Sequence, residues 1–264
     1  MDKDYSVSVC MSIHNQEPIA KMMIDSIIQN TSDQVKEIIF VFDGCTDNTE
    51  AIIRENAEVS KVPVKYFHAP NVWETKANNI SFKAASYPYI LTIQDDMVLL
   101  EKDFDKRMMI PFFVVENLLG VTARNAQDEF ITPEGTLMYK NVFGKDVKSP
   151  RHILGLRDII VRGPIMFSHE KLAALDYLNE EFAPIYADDY DLCFRAARKE
   201  WVVGAFMAEY ASPEHWGKTR QHNQALHNFW FASVQKNEKM IMERHADLMN
   251  RNEFQDIVIS GLTP

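Results

Sequence analysis

The sequence has few cysteines and no excess of positive charge. Its three cysteines, Cys10, Cys45 and Cys193, are widely spaced and form no Cys-x-x-Cys pair, which argues against a disulfide framework and against a cysteine-based zinc site. The sequence has 28 Lys and Arg residues and 38 Asp and Glu residues, so the formal net charge is −10. Such a charge argues against broad electrostatic binding to nucleic acid or anionic lipid. We therefore expect a reducing, cytoplasmic location and no nucleic-acid partner.

Long apolar segments are also missing. No apolar run approaches the roughly 18 residues that a membrane-spanning helix needs, and the start, MDKDYSVSV, lacks the apolar region of a secretory signal. We expect no transmembrane segment, while peripheral association with a membrane stays open. The 264 residues are 46% hydrophobic and 25% charged, values typical of a globular protein. One domain over residues 1–264 is the simplest interpretation.

Strand and helix patterns alternate through the first ninety-odd residues. Continuous apolar runs predict strands, and amphipathic segments between them predict helices. Alternation of this kind is typical of an α/β fold with a parallel sheet and helices on both faces. The predicted strands are Val7 to Ile13, Ile38 to Phe42, Val62 to Phe67 and Tyr89 to Ile93, and the predicted helices are Pro18 to Asn30, Asn48 to Ala57 and Thr75 to Ala85.

The second half of the chain has a less regular pattern. Asp103 to Asn117 has helical character interrupted by Pro111, and Arg124 to Arg162 is predicted to be irregular because it contains several Gly and Pro residues. A long irregular stretch in a compact domain is more often functional than idle. Further elements are predicted as strands at Pro164 to Phe167 and Trp201 to Phe206, and as helices from His169, from Asp188 to Lys199 and over Gln221 to Asn250.

Polar residues follow the predicted strands. His14 and Asn15 come after the first, Asp43 after the second, and Gln94, Asp95 and Asp96 after the fourth. Open α/β sheets bind ligands beyond the carboxyl ends of their strands, so we expect these residues, together with His68 after the third strand, on one rim. Mg²⁺ is usually held by one or two carboxylates plus substrate phosphates, which makes the paired acids a candidate metal site. The alternative is an acidic turn that starts a helix.

A second acidic cluster lies about ninety residues further along. Asp188, Asp189 and Asp191 open a predicted helix in which Arg195 can pair with Asp191 at i,i+4. Two acid clusters suit a reaction in which one holds a diphosphate through a cation and the other takes a proton from a nucleophile. The alternative is helix capping, since Asp is favoured in the first turn for dipole reasons alone.

Five short motifs occur in an order typical of one family. They are Ile13-His14-Asn15, Val41 to Asp47 (VFDGCTD), Ala77 to Ser81 (ANNIS), Gln94-Asp95-Asp96, and Asp188 to Arg195 (DDYDLCFR). Their order and spacing over about residues 5 to 200 resemble those of the family 2 inverting glycosyltransferases of the GT-A fold. The resemblance implies a single Rossmann-like nucleotide-binding sheet with an acceptor-side extension.

The resemblance also implies roles for individual residues. Asp43 would contact the base or ribose, Asp96 would be the main Mn²⁺ or Mg²⁺ ligand, and Asp189 would be the catalytic base. The residues implied to bind the nucleotide sugar are His14, Asn15, Asp43, Asn79, Asp95, Asp188, Lys218 and Arg220. The sequence departs from the family motifs at Phe42, Cys45, Asn78 and Gln94, and the change at Gln94 bears on metal affinity.

His215 follows the last predicted strand and resembles a histidine that many of these enzymes place near the metal or the diphosphate. We therefore assign it to the metal site, with Lys218 and Arg220 as candidates for contacts to phosphate oxygens. The alternative is that this loop is polar surface.

The implied function is metal-dependent transfer of a sugar with inversion. The donor would be a nucleotide-diphosphate sugar, expected to be UDP-linked, and the acceptor would be a hydroxyl of a glycan, lipid-linked or other acceptor. Single addition is expected because the QxxRW signature of processive relatives has no counterpart near Gln221 to Trp230. Residues 1–98 would form the nucleotide-binding half, 99–220 the acceptor-binding and catalytic half, with Arg124 to Arg162 as acceptor loop, and 221–264 a C-terminal helical segment.

Two other functions stay open. A sugar nucleotidyltransferase also uses an α/β sheet and a metal-held phosphate, but such enzymes generally begin with a Gly-rich loop, and no glycine precedes Gly44. A non-catalytic nucleotide-sugar-binding protein with the same fold would fit the departures at Phe42, Asn78 and Gln94.

Overall fold

The computed structural model describes residues 4–213, 224–249 and 254–259. Strands and helices alternate in its first third, and strands dominate the part that follows. The strands are β1 Val7–Ile13, β2 Val35–Asp43, β3 Val64–Ala69, β4 Tyr89–Thr92, β5 Val98–Leu99, β6 Leu118–Thr122, β7 Asn125–Ile131, β8 Leu137–Gly144, β9 Ile153–Arg157, β10 Ile159–Ile160, β11 Ile165–Ser168, β12 Val202–Ala205, β13 Tyr210–Ala211 and β14 Gln255–Val258. The helices are α1 Ala20–Asn30, α2 Thr49–Ala57, α3 Trp73–Ala84, α4 Phe104–Met109, α5 Pro111–Val114, α6 His169–Ala174, α7 Asp188–Ala197 and α8 Gln224–His245.

The central sheet has nine strands in the order β14-β9-β12-β6-β11-β4-β1-β2-β3. Strands β3, β2, β1 and β4 are parallel, which confirms the parallel sheet predicted for the first part of the chain. Strand β11 lies antiparallel between β4 and β6. Strands β6 and β12 are parallel to each other, and β9 and β14 extend the sheet in antiparallel pairs. The carboxyl ends of β1, β2 and β4 therefore meet at one edge.

The sheet separates two apolar cores. Successive side chains of a strand point to opposite faces, and in β2 the buried Phe40 and Phe42 join a core with α1, α2 and α4. Ile39 points the other way, into a core that also contains residues of α3, α6 and α7. Because both faces of β2 are buried from Ile38 to Phe42, this part of its sequence is a continuous apolar run without polar alternation. The predicted helices on both faces of the sheet are confirmed.

The prediction that Arg124 to Arg162 is irregular was wrong. Strands β7 and β8 form an antiparallel hairpin that joins β10 in a three-stranded sheet, here called the small sheet, and β9 belongs to the central sheet. Gly135 marks the hairpin turn, with a φ of +82° and a bond from its N–H to the carbonyl of Thr132. The buried positions of β7 include the polar residues Gln127 and Glu129, so the segment lacks the apolar run by which the other strands are recognised.

Two further segments differ from the predictions. Asp103 to Asn117 contains two short helices, α4 and α5, because the pyrrolidine ring of Pro111 starts a new helix, and strand β6 follows directly. The segment predicted as C-terminal helix contains α8 but also β14, an edge strand paired with β9. Within the described ranges, no helix combines the length and apolar character needed to cross a bilayer.

Asn79, expected to bind the nucleotide sugar, connects two parts of the fold instead. Its side chain, 2% exposed, donates from Nδ2 to the carbonyl of Leu178 at 2.8 Å and to Glu180 Oε1 at 3.0 Å. Its Oδ1 accepts the N–H of Leu178 at 3.0 Å. These bonds use the whole amide to fasten α3 to the segment before α7. Asn79 does not line the cavity described below.

Replacing Asn79 with alanine should therefore destabilise the protein. The change Asn79→Ala leaves the buried N–H and carbonyl of Leu178 without their partner, so we expect a loss of about 2–3 kcal/mol in the free energy of unfolding, measured by denaturant titration. Asn56→Ala is the matched control, since Asn56 lies half-buried on α2 and its side chain donates to the carbonyl of Ile52 within its own helix; its effect should stay within about 0.5 kcal/mol. Equal losses in the two variants would contradict this assignment.

Candidate active site

A cavity of about 450 Å³ opens at the carboxyl ends of β1, β2 and β4. We call it the strand-end cavity. Its lining combines polar groups from the strand ends with the start of α3 and a residue that precedes α7. The lining residues are Ser12, Ile13, His14, Asn15, Gln16, Asp43, Asn71, Trp73, Glu74, Ala77, Gln94, Asp95, Asp96 and Ile185. The rule for open α/β sheets thus correctly gathers His14, Asn15, Asp43, Asp95 and Asp96 in one place.

Asp43 shapes one wall of the strand-end cavity. Its two carboxylate oxygens accept the backbone N–H groups of Val72 at 2.6 Å and Trp73 at 2.7 Å. These bonds hold the start of α3, where Trp73 has a φ of +69°, and they place its indole ring in the wall. His14 Nδ1 lies 2.6 Å from the carbonyl oxygen of Asp43. Asp43 therefore organises the cavity as well as facing it.

Asn15 fixes the turn that follows β2. Its Oδ1 accepts the backbone N–H of Thr46 at 2.7 Å and that of Asp47 at 3.3 Å. Gly44 enters the same turn with a φ of +65°, and a Cβ there would lie 2.8 Å from the Cβ of Asn71. The turn thus requires glycine at this position. His68 lies outside the cavity, with Nε2 2.9 Å from Glu50 Oε2, so the expectation that it shares the rim was wrong.

The Gln94-Asp95-Asp96 motif also lines the strand-end cavity. Asp95 Oδ2 accepts the backbone N–H of His14 at 2.9 Å. Burial raises the pKa of Asp95 to about 7; the bond from His14 lowers it, and the charges of Asp96 and Glu74 raise it. Gln94 Nε2 donates to Glu74 Oε1 at 2.9 Å.

These residues offer the donor atoms of a hard-cation site. The buried Gln94 Oε1 has no hydrogen-bond partner among the described residues, and it lines the cavity beside the carboxylates of Asp95 and Asp96. An all-oxygen set of this kind fits Mg²⁺ or Mn²⁺. Over the described ranges no three His, Cys, Asp or Glu side chains converge as a metal site. His215, Lys218 and Arg220 lie outside the described residues.

The second acidic cluster forms the start of α7. Asp188 is fully buried, and Asp189 lies partly exposed beside it. Asp189 Oδ2 accepts the backbone N–H of Arg162 at 3.1 Å, and its Oδ1 accepts the N–H of Tyr190 at 3.1 Å. Burial raises the pKa of Asp189 to about 7, while the charge of Arg162 lowers it and that of Asp188 raises it. A carboxyl group poised near neutral pH is suited to proton transfer.

Arg162 links the two acidic clusters. Its guanidinium makes ion pairs with Glu74 at the start of α3 and with Asp188 at the start of α7. Burial lowers the pKa of Arg162, but the charges of Asp188, Glu74 and Asp189 together raise it above its usual value. Asp188 is thereby engaged in an ion pair and does not line the cavity, and Asp189 is joined to the cavity wall through Arg162 and Glu74.

Sequence reasoning missed both Glu74 and Arg162. Arg162 is the last residue of the stretch predicted to be irregular, and Glu74 lies just before the helix predicted from Thr75. The charge of the predicted site could have indicated them, because several carboxylates gathered at one edge of a sheet need a cation among them. The arginine just before Gly163-Pro164, which enters a strand of that sheet, was the residue to examine.

Comparisons with known proteins agree with this geometry. The family model described as glycosyl transferase family 2 matches residues 8–143, a segment that runs from β1 into β8. A search of curated proteins found no match.

Solved structures show the same fold. GalNAc-T7 with UDP, GalNAc and Mn²⁺ has a TM-score of 0.70 at 10% identity, covering 92% of this chain and 48% of that one. The mannosyltransferase PcManGT from Pyrobaculum calidifontis, in complex with GDP-Man and Mn²⁺, has a TM-score of 0.58 at 13% identity, covering 90% and 64%. TarS 1-349 of S. aureus in complex with UDP has a TM-score of 0.56 at 14% identity, covering 78% and 59%.

At these identities the likeness establishes the fold alone, and it confirms the predicted GT-A-type architecture. The chain spans between about half and just under two thirds of the length of these proteins. The family model, by contrast, covers just over half of the 264 residues and includes every strand end that lines the cavity. The chain belongs to glycosyl transferase family 2.

Proposed function

We propose that the protein is a metal-dependent, inverting glycosyltransferase that moves one sugar from a UDP-sugar to an acceptor hydroxyl in the synthesis of a glycan or polysaccharide. The observation that supports this best is the link through Arg162, which joins the carboxylate of Asp189 to the wall of the strand-end cavity. A base held beside a donor-sized cavity is what an attack by a hydroxyl on a bound sugar requires.

The strand-end cavity is the proposed donor site. Asp43 and Asn15 would position the nucleoside against the wall that includes Trp73, and His14 would lie near the diphosphate. Lys218 and Arg220 would contact phosphate oxygens. UDP and GDP-Man occupy the solved structures of similar fold, which supports a nucleotide-diphosphate sugar as the donor class.

Asp96, assisted by Asp95 and Gln94 and completed by His215, would hold the cation. When bound, Mn²⁺ or Mg²⁺ supplies positive charge to the diphosphate as negative charge develops on the leaving group. The two similar structures that contain Mn²⁺ support this choice of ion. Asp95 is buried close to Asp96 and Glu74, and these carboxylates repel each other. A bound cation would relieve this repulsion, which supports a metal site at this position.

Asp189 would act as the base. Its carboxylate takes the proton of the acceptor hydroxyl, and the acceptor oxygen forms a bond to the anomeric carbon from the face opposite the diphosphate, whose bond to that carbon breaks. The proton stays on Asp189 until it passes to solvent. The bonds from the N–H groups of Arg162 and Tyr190 orient the carboxylate and leave a lone pair on each oxygen.

The metal assignment predicts a specific defect in Asp96→Ala. In the native protein, UDP and Mn²⁺ together should raise the melting temperature, since a ligand at a hundred times its Kd adds about 2.7 kcal/mol of stability. The variant should lose the Mn²⁺-dependent part of this shift in a thermal-shift titration. Asp25→Ala, which removes a carboxylate on the outer surface of α1, should behave as native. Nucleotide binding that is indifferent both to metal and to Asp96 would show that the metal site is misplaced.

The base assignment predicts the pH dependence of transfer. Because the pKa of Asp189 is raised to about 7, its carboxylate form is depleted below that pH, and kcat/KM should fall as pH drops through about 7. Asp189→Asn should lower kcat by about 10²–10⁴-fold and remove this dependence while UDP binding persists.

The same substitution at the exposed Asp247, which is paired with Arg198, is the control and should leave the pH profile unchanged. Full activity in Asp189→Asn would exclude Asp189 as the base. Release of pyrophosphate from a nucleoside triphosphate would instead favour the sugar nucleotidyltransferase, and absence of any turnover of bound UDP-sugars would favour the non-catalytic protein.

A further inference from the structure

One face of the small sheet packs against the start of α7. Glu129 of β7 lies opposite Tyr139 of β8, and Gln127 lies opposite Asn141. Tyr190, the residue after Asp189, donates from its hydroxyl to Gln127 Oε1 at 2.8 Å. The face that contains Glu129 is therefore directed at the same helix start that presents the proposed base.

Glu129 is a buried carboxyl group without a counter-ion at its oxygens. It is 1% exposed, and neither Oε1 nor Oε2 has a hydrogen-bond partner among the described residues. Burial raises its pKa to about 9, and the four charges that act most strongly on it are all carboxylates. They come from β7, from the turn between β9 and β10, from α7 and from α8; the residues are Asp128, Asp158, Asp189 and Glu238. Lys140 and Arg157 are near enough to lower the pKa of Asp128, although burial raises it overall.

Three tyrosine rings surround this group of acids. Tyr139 and Tyr190 pack edge to face with centroids 6.2 Å apart, and Tyr186 packs in the same way on Tyr190 at 5.7 Å. Tyr186 donates from its hydroxyl to Glu238 Oε1 at 3.2 Å. Tyr139 is 43% exposed, so one ring of the group is open to an approaching ligand. Faces of aromatic rings attract cations.

We propose that these side chains form a binding site for an ammonium group of the acceptor. We call the site the acidic cage and define it by Asp128, Glu129, Tyr139, Asp158, Tyr186, Tyr190 and Glu238. A buried carboxyl without partners is costly unless a ligand supplies donors, and an ammonium offers three. The surrounding carboxylates and tyrosine faces favour a positive charge and disfavour a negative one.

This inference rests on the proposed function, since it takes Asp189 as the base. An acceptor bound in this way would present a hydroxyl to Asp189 while its amine lies against Glu129. The proton that Glu129 loses as it pairs with the ammonium passes to solvent. The chemical class of the acceptor is therefore an amine-bearing sugar or a comparable amino alcohol, and an acceptor with a phosphate or carboxylate beside the nucleophilic hydroxyl would be excluded.

Binding of three matched probes to the full chain tests the proposal without any donor. The probes are methyl glucosaminide with its free amine, methyl N-acetylglucosaminide and methyl glucoside, titrated by saturation-transfer NMR near neutral pH, where much of the amine is protonated and deprotonation of Glu129 costs less free energy than at acidic pH. We expect the amine to bind about tenfold more tightly than the other two probes, because one hydrogen bond to a charged group changes the affinity by about this factor. Equal affinity of all three, or binding of none, would overturn the proposal.

Three variants locate the effect. Glu129→Gln keeps the shape and the neutral state of the buried side chain and should melt no lower than the native protein, yet it should lose the tenfold preference because an amide cannot become an anion. Glu134→Gln makes the same change in the exposed turn of the same hairpin and should keep the preference. Tyr139→Leu, on the exposed side, should weaken amine binding several-fold.

A preference that survives in Glu129→Gln would overturn the assignment of the site. Because no nucleotide sugar is present, these results are independent of whether transfer occurs. UDP binding in the thermal-shift assay, together with no amine preference, would reject the acidic cage and leave the proposed function intact.

Discussion

The guanidinium of Arg162 is the interaction on which the candidate site depends. It lies between Glu74 of α3 and Asp188 of α7, and the backbone N–H of the same residue holds Asp189. Two like charges about 4 Å apart repel by about 4 kcal/mol near a protein surface, so the starts of α3 and α7 could not approach each other without a cation between their carboxylates. Breaking a buried ion pair costs about 3–5 kcal/mol, which ties the geometry of the site to the stability of the fold.

The strand-end cavity was predictable from the order of elements alone. Strands β1, β2 and β4 are mostly buried on both faces, so apolar residues dominate their sequences, and parallel strands place their carboxyl ends together. The positions of Asp43, Asp95 and Asp96 follow from that rule without any knowledge of side-chain contacts. The functional residues at a strand end can thus be predicted from the sequence when the strand itself is recognised.

The parts that escaped prediction depend on contacts between distant residues. Asn79 meets Leu178, and Glu74 meets Arg162, across roughly ninety to a hundred positions, and no local pattern records such pairings. Strands β7 and β8 were missed for another reason: one face of their hairpin packs on α7 through polar residues such as Gln127 and Glu129, so apolar periodicity is absent. A buried polar face is invisible to a search for hydrophobic alternation, and here that face adjoins the proposed base.

The C-terminal helix α8 also contributes to the geometry of the candidate site, although it lies outside the segment matched by the family model. Just before α7, Tyr186 and Ala187 have φ values of +83° and +65°, a conformation that costs on the order of 1–3 kcal/mol for each non-glycine residue. Asn237 of α8 is fully buried, and its Nδ2 lies 2.7 to 2.9 Å from the carbonyl oxygens of Phe182, Ile185 and Tyr186. These bonds hold the strained segment in place. Since Asp189 follows it within two residues, α8 sets the direction in which the proposed base points, although the matched family segment ends at residue 143.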